Sequence, residues 1–90
     1  MKNKTLDFAD CKYISEVYEE IKHGLNLPKY CGSNWDAVWD FMRDYCDNMS
    51  VKIKGTNILE KRFENTKEIL IEILDRCVKE LDDFSYKIIS

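Results

Sequence analysis

The sequence predicts a single α/β domain over residues 1–90, with a small three-stranded parallel sheet packed by three to four helices. Three observations support this fold class. Short strand-like segments lie near the start, the middle and the end of the chain, and segments with helical periodicity separate them. Ninety residues, 44% of them hydrophobic, supply one modest core and leave no room for a second. Strands separated by helices are typically joined by right-handed crossovers, which makes the sheet parallel.

The first strand and the first helix are predicted from local patterns. The segment Thr5–Phe8 alternates between polar and apolar residues, as a half-buried strand does. A helix is predicted over about residues 15–23, with Ser15 as its N-cap and Gly24 as its C-terminal stop. Its apolar face is formed by Ile14, Val17, Tyr18, Ile21 and Leu25.

The second helix is strongly amphipathic. It is expected to begin near Ser33 or Asn34, where Ser33 and Asp36 can cap the helix reciprocally. At 100° per residue, one arc is apolar and is formed by Trp35, Val38, Trp39, Met42, Tyr45 and Cys46. Four acids fall on the opposite side, namely Asp36, Asp40, Asp44 and Asp47.

The second half of the chain repeats the strand-then-helix order. The alternating segment Val51–Lys54 predicts a strand, and a short helix is expected within residues 56–63. Asn65 and Glu68 form a capping signal for a long helix. Its apolar face is formed by Ile69, Leu70, Ile73, Leu74, Cys77, Val78 and Leu81.

The chain closes with a third predicted strand at Tyr86–Ile89. Ile88 and Ile89 are consecutive apolar residues, which is typical of a strand covered on both faces. We therefore expect this strand to be covered on both faces.

The charge and the cysteines narrow the function classes. The net charge of −3 disfavours binding to nucleic acid or to an anionic membrane, and it favours a cationic partner. No signal peptide and no membrane-spanning stretch is recognisable, so we expect a cytoplasmic protein. The four cysteines form no C-x-x-C pair and are expected to be reduced thiols, with Cys77 in the core and Cys31 exposed in a loop.

No pattern of catalytic, cofactor-binding or metal-binding residues is present, so we expect no enzyme activity, no cofactor and no metal. The single histidine, His23, lies near the C-terminus of the first helix, where the helix dipole favours a cation. An enzyme that uses Cys31 or His23 remains an alternative hypothesis.

The acids of the second helix are the most informative feature. Asp36, Asp40 and Asp44 are spaced four residues apart, and like charges at that spacing repel by a few tenths of a kcal/mol per pair. Residues 30–50 have a net charge of −3, equal to that of the whole chain. Tyr30 and Trp39 lie close to these acids in the sequence. Acids rimmed by aromatic residues favour an interface that captures lysine and arginine.

The segment from Leu27 to Asp40 resembles the barstar family of intracellular inhibitors of the ribonuclease barnase. It reads LPKYCGSNWDAVWD, and it meets each fixed position of the family pattern Leu-Pro-x-Tyr-x-Gly-x-Asn-x-Asp-Ala-hydrophobic-Trp-Asp. The length, the order of strands and helices, and the isoleucine-rich end agree more loosely. The resemblance implies a parallel sheet of three strands and an inhibitor without catalytic activity.

The resemblance also implies roles for individual residues. Asp40 would take the place of the scissile phosphate in a basic ribonuclease, and Asp36 would meet a second basic group. Tyr30 and Trp39 would pack around these acids. The other residues expected to contact or shape the interface are Gly32, Asn34, Asp44 and Tyr45.

Two departures from the family pattern, together with one position that the alignment leaves open, indicate a partner related to barnase but not identical with it. Cys31 replaces a second tyrosine, and Tyr45 replaces a tryptophan at the end of the second helix. The acid that the family offers from its long helix falls on Asp75, Arg76 or Cys77.

The sequence leaves one further binding hypothesis open, namely a non-inhibitory acidic module with the same fold. In either case we expect a monomer when unbound. The leading hypothesis is a bacterial immunity protein that protects the producing cell from a ribonuclease. The acids are expected to face solvent without pairing to the chain's own lysines and arginines.

Overall fold

The computed structural model describes residues 2–89. Within this range the chain forms β1 (Lys2–Asp7), α1 (Ile14–Gly24), α2 (Trp35–Tyr45), β2 (Met49–Lys54), α3 (Thr56–Arg62), α4 (Thr66–Glu80) and β3 (Ser85–Ile88). The strands form one sheet in the order β1-β2-β3, and both pairs are parallel. These three parallel strands and four helices confirm the predicted fold class.

The core lies between the helices and one face of the sheet. Leu6 of β1 pairs in register with Ile53 of the central strand β2, and both side chains are fully buried. The helices contribute fully buried residues to the same cluster, among them Val17, Ile21, Val38, Met42, Leu70 and Leu74. The buried residues follow the predicted apolar faces of α1, α2 and α4, but Ile14, Tyr45 and Val78, which were predicted to belong to these faces, are exposed.

The other face of the sheet is exposed. Thr5, Lys52 and Lys87 are neighbours in register across the three strands, and all three are exposed. Ile88 and Ile89 retain about two fifths of their accessible surface, 39% and 41%. The expectation that the third strand is covered on both faces is therefore wrong. Because the helices cover one face only, alternate strand residues meet solvent and can be polar.

Helix α1 begins and ends differently from the prediction. Its N-cap is Tyr13 instead of Ser15, and the Glu16 carboxylate accepts hydrogen bonds from the backbone N–H of Lys12 at 2.6 Å and of Tyr13 at 3.0 Å. Gly24 is the last helical residue and not a left-handed stop. A Cβ at Gly24 would lie 2.5 Å from Leu6 Cδ2, so this glycine permits a close approach of α1 to β1.

The start of α4 also differs from the prediction, whereas the expected short helix is present as α3. Asn65 precedes α4 with φ 62°, and its side chain makes no capping hydrogen bond. Gly55 precedes α3 with φ 77°, and a Cβ there would lie 2.5 Å from the backbone nitrogen of Ala9. Glycine is required at this turn both by the left-handed backbone and by the close contact.

The four cysteines are unpaired and buried. Burial raises the pKa of Cys46 and of Cys77 to about 12. Burial and then nearby carboxylates, Glu20 first, raise the pKa of Cys11 to about 11. Thiols that stay protonated at neutral pH are poor nucleophiles, so these three cysteines are structural.

Candidate protein-binding face on helix α2

The N-terminus of α2 is capped by Asn34. Its side-chain oxygen accepts a hydrogen bond from the backbone N–H of Ala37 at 2.8 Å, and its extended backbone leads the loop into the helix. The reciprocal cap expected from Ser33 and Asp36 is not formed. Because Asn34 performs the capping, the carboxylate of Asp36 stays available at the helix surface.

Three acids occupy the exposed side of α2. Asp36, Asp40 and Asp44 are exposed, whereas Val38 and Met42 on the opposite side are fully buried. Within residues 2–89, Asp36 and Asp44 form no side-chain hydrogen bond or ion pair. Asp36 is favoured by the helix dipole in the first turn, and Asp44 is opposed by it in the last. We call Asp36, Asp40 and Asp44 the acid row.

The expected fourth acid, Asp47, does not belong to the acid row. Helix α2 ends at Tyr45, and Asp47 lies in the following turn. Its carboxylate accepts a hydrogen bond from the backbone N–H of Asp82 at 3.3 Å. Asp47 therefore joins the segment before β2 to the segment before β3, which is a structural role.

Aromatic residues flank the acid row on the side of the preceding loop. The rings of Tyr30 and Phe41 lie 5.5 Å apart edge to face, and the rings of Phe41 and Tyr45 lie 5.9 Å apart. Tyr30 is 76% exposed and Tyr45 42% exposed. A hydrogen bond with Tyr30 raises the pKa of Tyr45. Large aromatic surfaces held in place by packing are typical of protein interfaces.

Trp39 and two arginines flank the acid row on the side of α4. The guanidinium carbon of Arg76 lies 5.5 Å from the centre of the Trp39 ring, and that of Arg43 lies 6.0 Å from it. Arg43 also pairs with Asp40 at 3.6 Å, so the expectation that no arginine of the chain pairs with the acids is wrong for Asp40. Both side chains of this pair are more than half exposed, and exposed pairs contribute at most about 1 kcal/mol.

Cys31 turns inward from the loop, contrary to the prediction of an exposed thiol. It is 3% exposed, and its Sγ lies 3.6 Å from the carbonyl oxygen of Gly32. Burial raises the pKa of this thiol, and the nearby Lys22 opposes the shift. A Cβ at Gly32 would lie 3.2 Å from Ala37 Cβ and from the Asn34 side chain, so a larger residue there would press on the helix cap.

The acid of the family's long helix falls on Asp75, Arg76 or Cys77, and these three residues have different surroundings. Asp75 accepts a hydrogen bond from the Tyr86 hydroxyl at 2.6 Å, which raises the pKa of Tyr86 to about 12. Cys77 is fully buried. Arg76 is the one that lies over Trp39, so at this place beside the acid row the chain presents a cation.

A second acidic region surrounds α1, and the net charge of the sequence segments does not reveal it. Its residues line an open cleft of about 530 Å³, and the acids among them are Asp7, Asp10, Glu16, Glu19 and Glu20. Several of these carboxylates are engaged in the fold. Glu20 accepts the backbone N–H of Asp7 at 3.1 Å, and Glu16 caps α1. This region stabilises the connection from β1 to α1.

The fold and the face on α2 define a class of protein, namely a small α/β protein that presents an acidic and aromatic helix. The chain belongs to the barstar family, because the family model described as "Barstar (barnase inhibitor)" matches residues 1–88. It is also similar to a Bacillus subtilis (strain 168) protein named "Putative ribonuclease inhibitor YrdF". The two are 26% identical over 90 residues, which cover 99% of this chain and 98% of that protein.

The comparisons confirm the resemblance drawn from the segment Leu27 to Asp40. The described helices include none that is long and apolar enough to span a membrane.

Proposed function

We propose that this protein inhibits a basic ribonuclease by inserting the acid row and the preceding loop into the enzyme's cationic active site. The observation that carries the proposal is the exposure of three carboxylates on successive turns of one rigid helix. An enzyme that cleaves a polyanion needs a cationic cleft, and a fixed row of carboxylates is its electrostatic complement. Membership of a family described by barnase inhibition supports the same conclusion.

Asp40 is the central residue of the proposed interface. It lies in the middle of the acid row, between Trp39 and the aromatic side of the helix. Its carboxylate would take the place of a substrate phosphate and accept charge-assisted hydrogen bonds from arginine and lysine. Asp36 would meet a second cation one turn earlier, and Asp44 would extend the negative field one turn later.

The uncharged residues of the face hold and shape the contact. Tyr30 and Tyr45 on one side and Trp39 on the other would exclude water from the charge pairs, which strengthens them. Gly32 lets the loop approach its partner closely, and Asn34 fixes the first turn of α2 through its bond to Ala37.

The pair between Arg43 and Asp40 must open or be shared when a partner binds. Because it is solvent-exposed and its atoms are 3.6 Å apart, breaking it requires little free energy. The exchange of a weak internal pair for desolvated pairs with the enzyme favours binding.

The same proposal covers the cellular role. We infer that the protein acts in the bacterial cytoplasm as an immunity protein and is a monomer when unbound. It binds the ribonuclease protein directly and neither the enzyme's RNA nor a membrane.

A capture experiment tests the proposed function. Immobilised wild-type protein, Asp40→Ala and the matched control Asp10→Ala are incubated with extract and medium of the producing bacterium, and the bound fraction is assayed for RNA cleavage after elution. Purified barnase serves as a defined probe in parallel. We expect the wild type and Asp10→Ala to retain a ribonuclease that Asp40→Ala does not.

Two other results would contradict parts of the proposal. Retention of basic proteins without any ribonuclease activity would favour the non-inhibitory binding module. Equal retention of a ribonuclease by all three proteins would show that the interface lies elsewhere.

A further inference from the structure

The loop between α1 and α2 carries three residues of the proposed interface, Tyr30, Gly32 and Asn34, but no regular secondary structure. Its backbone hydrogen bonds include those from Leu27 N–H to the Lys22 carbonyl at 2.8 Å and from Cys31 N–H to the Pro28 carbonyl at 3.0 Å. Tyr30 points outward from this loop and is 76% exposed. Cys31 is buried and the Tyr30 ring contacts Phe41, and one polar contact from α1 adds to these attachments of the loop.

That contact comes from Lys22, a buried lysine on α1. Its ammonium group donates to the Cys31 carbonyl at 3.2 Å and to the Ser33 hydroxyl at 3.2 Å. It also pairs with Glu19 at 3.0 Å. The side chain is 11% exposed, whereas that of Glu19 is 69% exposed. An ammonium group has three hydrogens, so these three partners satisfy it fully.

The location of Lys22 is unusual for a lysine. Lysines are rarely buried, and a buried cation requires hydrogen-bond partners. Lys22 lies one turn after Tyr18, at the edge of the apolar face of α1, and its chain passes under the loop. Two of its three partners belong to the loop, and these flank Gly32 directly. The lysine therefore joins α1 to the segment that precedes the cap of α2.

We propose that Lys22 is a positioning residue for binding, which holds the loop in its binding conformation before a partner arrives. A loop that is already ordered loses less conformational entropy on association. Lys22 itself does not face the partner. This inference rests on the proposed function for its effect on affinity, while its effect on loop order can be measured in the free protein.

Hydrogen exchange in the free protein tests the loop order. Lys22→Met retains the apolar part of the side chain and removes the ammonium group that donates to the loop, and Glu19→Gln is the control that leaves that group in place. We expect Lys22→Met to accelerate exchange of the Cys31 amide at least tenfold. Amides of Leu27, which bonds to the backbone of residue 22, and of Val51 and Ile53 in the central strand should stay within about twofold, since local opening is independent of global unfolding.

Three exchange results would overturn the inference. An unchanged Cys31 amide would show that the loop does not need Lys22. Equal acceleration of the Cys31, Val51 and Ile53 amides would show that the lysine merely stabilises the whole fold. The same acceleration in Glu19→Gln as in Lys22→Met would assign the effect to the exposed ion pair instead.

A binding experiment separates positioning from general stability. The experiment measures affinity for the ribonuclease that the wild type retains. The single variants are Lys22→Met, Tyr30→Ala and Asp40→Ala, and the double variants combine Lys22→Met with each of the other two. We expect Lys22→Met to weaken binding about tenfold, as loss of preorganisation does. The Tyr30→Ala effect should shrink in the Lys22→Met background, whereas the Asp40→Ala effect should be unchanged, because only Tyr30 lies on the loop.

Failure of this inference is distinguishable from failure of the proposed function. If no ribonuclease binds the wild type, the proposed function fails and hydrogen exchange still decides the role of Lys22 in the free protein. In the other case a ribonuclease binds, and Lys22→Met changes the affinity effects of Tyr30→Ala and of Asp40→Ala by the same amount. The positioning role is then wrong while the inhibitor function stands.

Discussion

The two acidic regions of the molecule use their carboxylates in opposite ways. Around α1, Glu16 and Glu20 accept hydrogen bonds from backbone amides. On α2, Asp36 and Asp44 form no such bond within the described residues, and Asp40 has only an exposed pair with Arg43. The first region is therefore part of the fold, and the second is available to a partner.

The difference shows that acid density alone does not identify a binding surface. Hydrogen bonds from the backbone of Lys12 and Tyr13 lower the pKa of Glu16, so the fold favours its ionised form. No backbone hydrogen bond stabilises the carboxylates of the acid row in this way within the described residues. Acids four residues apart in the row also repel one another. Carboxylates that are exposed, unused and flanked by Tyr30 and Trp39 are the ones expected to bind.

The largest expected effect is on binding by the acid row. Asp40→Ala should weaken the affinity for the ribonuclease by about 2–5 kcal/mol, as truncation of one partner of a buried charge pair does. The matched change Asp10→Ala in the other acidic region should alter it by less than about 0.5 kcal/mol. Titration calorimetry at one salt concentration measures both. Equal losses of affinity in Asp40→Ala and Asp10→Ala would show that the two acidic regions do not differ in binding.

The next largest expected effect is on the stability of the protein, and it comes from Glu16 in the acidic region around α1. Because the pKa of Glu16 is lowered in the folded state, its contribution is fully present above the unfolded value of 4.5 and is lost as the pH falls through the folded value. Glu16→Gln should therefore lower the urea midpoint at pH 7 and flatten its fall below pH 4.5. An unaltered pH profile would contradict the capping role of Glu16.

The smallest effect should come from relieving repulsion within the acid row. Asp44→Asn removes a charge that opposes both Asp40 and the helix dipole, so the free energy of unfolding should rise by a few tenths of a kcal/mol. Urea unfolding beside the wild type measures this shift. A clear loss of stability would mean that Asp44 has a structural partner, like Glu16.

The sequence was sufficient for features that depend on local periodicity. The apolar faces of α1, α2 and α4 and the alternation in β2 follow directly from spacing, and they define the fold. The family resemblance rested on fixed residues in one contiguous segment, which is why it could be recognised without a structure. The exposed positions of Asp36, Asp40 and Asp44 followed from the helical period.

Features that depend on specific contacts rather than on periodicity were not predictable. The sequence favoured Ser15 as the helix cap, but the Glu16 carboxylate accepts a hydrogen bond from the backbone N–H of Tyr13. Tyr13 is therefore the N-cap, and α1 begins at Ile14. Two isoleucines at 88–89 suggested a strand covered on both faces, although the helices pack on one face only. The loop contacts of Lys22 join residues nine and eleven positions away, and no local pattern reports them.

The central claim is that the acid row occupies the active site of a ribonuclease, and steady-state kinetics of RNA cleavage test it most directly. With the ribonuclease retained by the wild type, increasing amounts of this protein should raise the apparent KM for RNA and leave kcat unchanged, because inhibitor and substrate compete for one cationic cleft. A fall in kcat with an unchanged KM that persists once inhibitor and RNA have equilibrated would place the binding site outside that cleft and contradict the account.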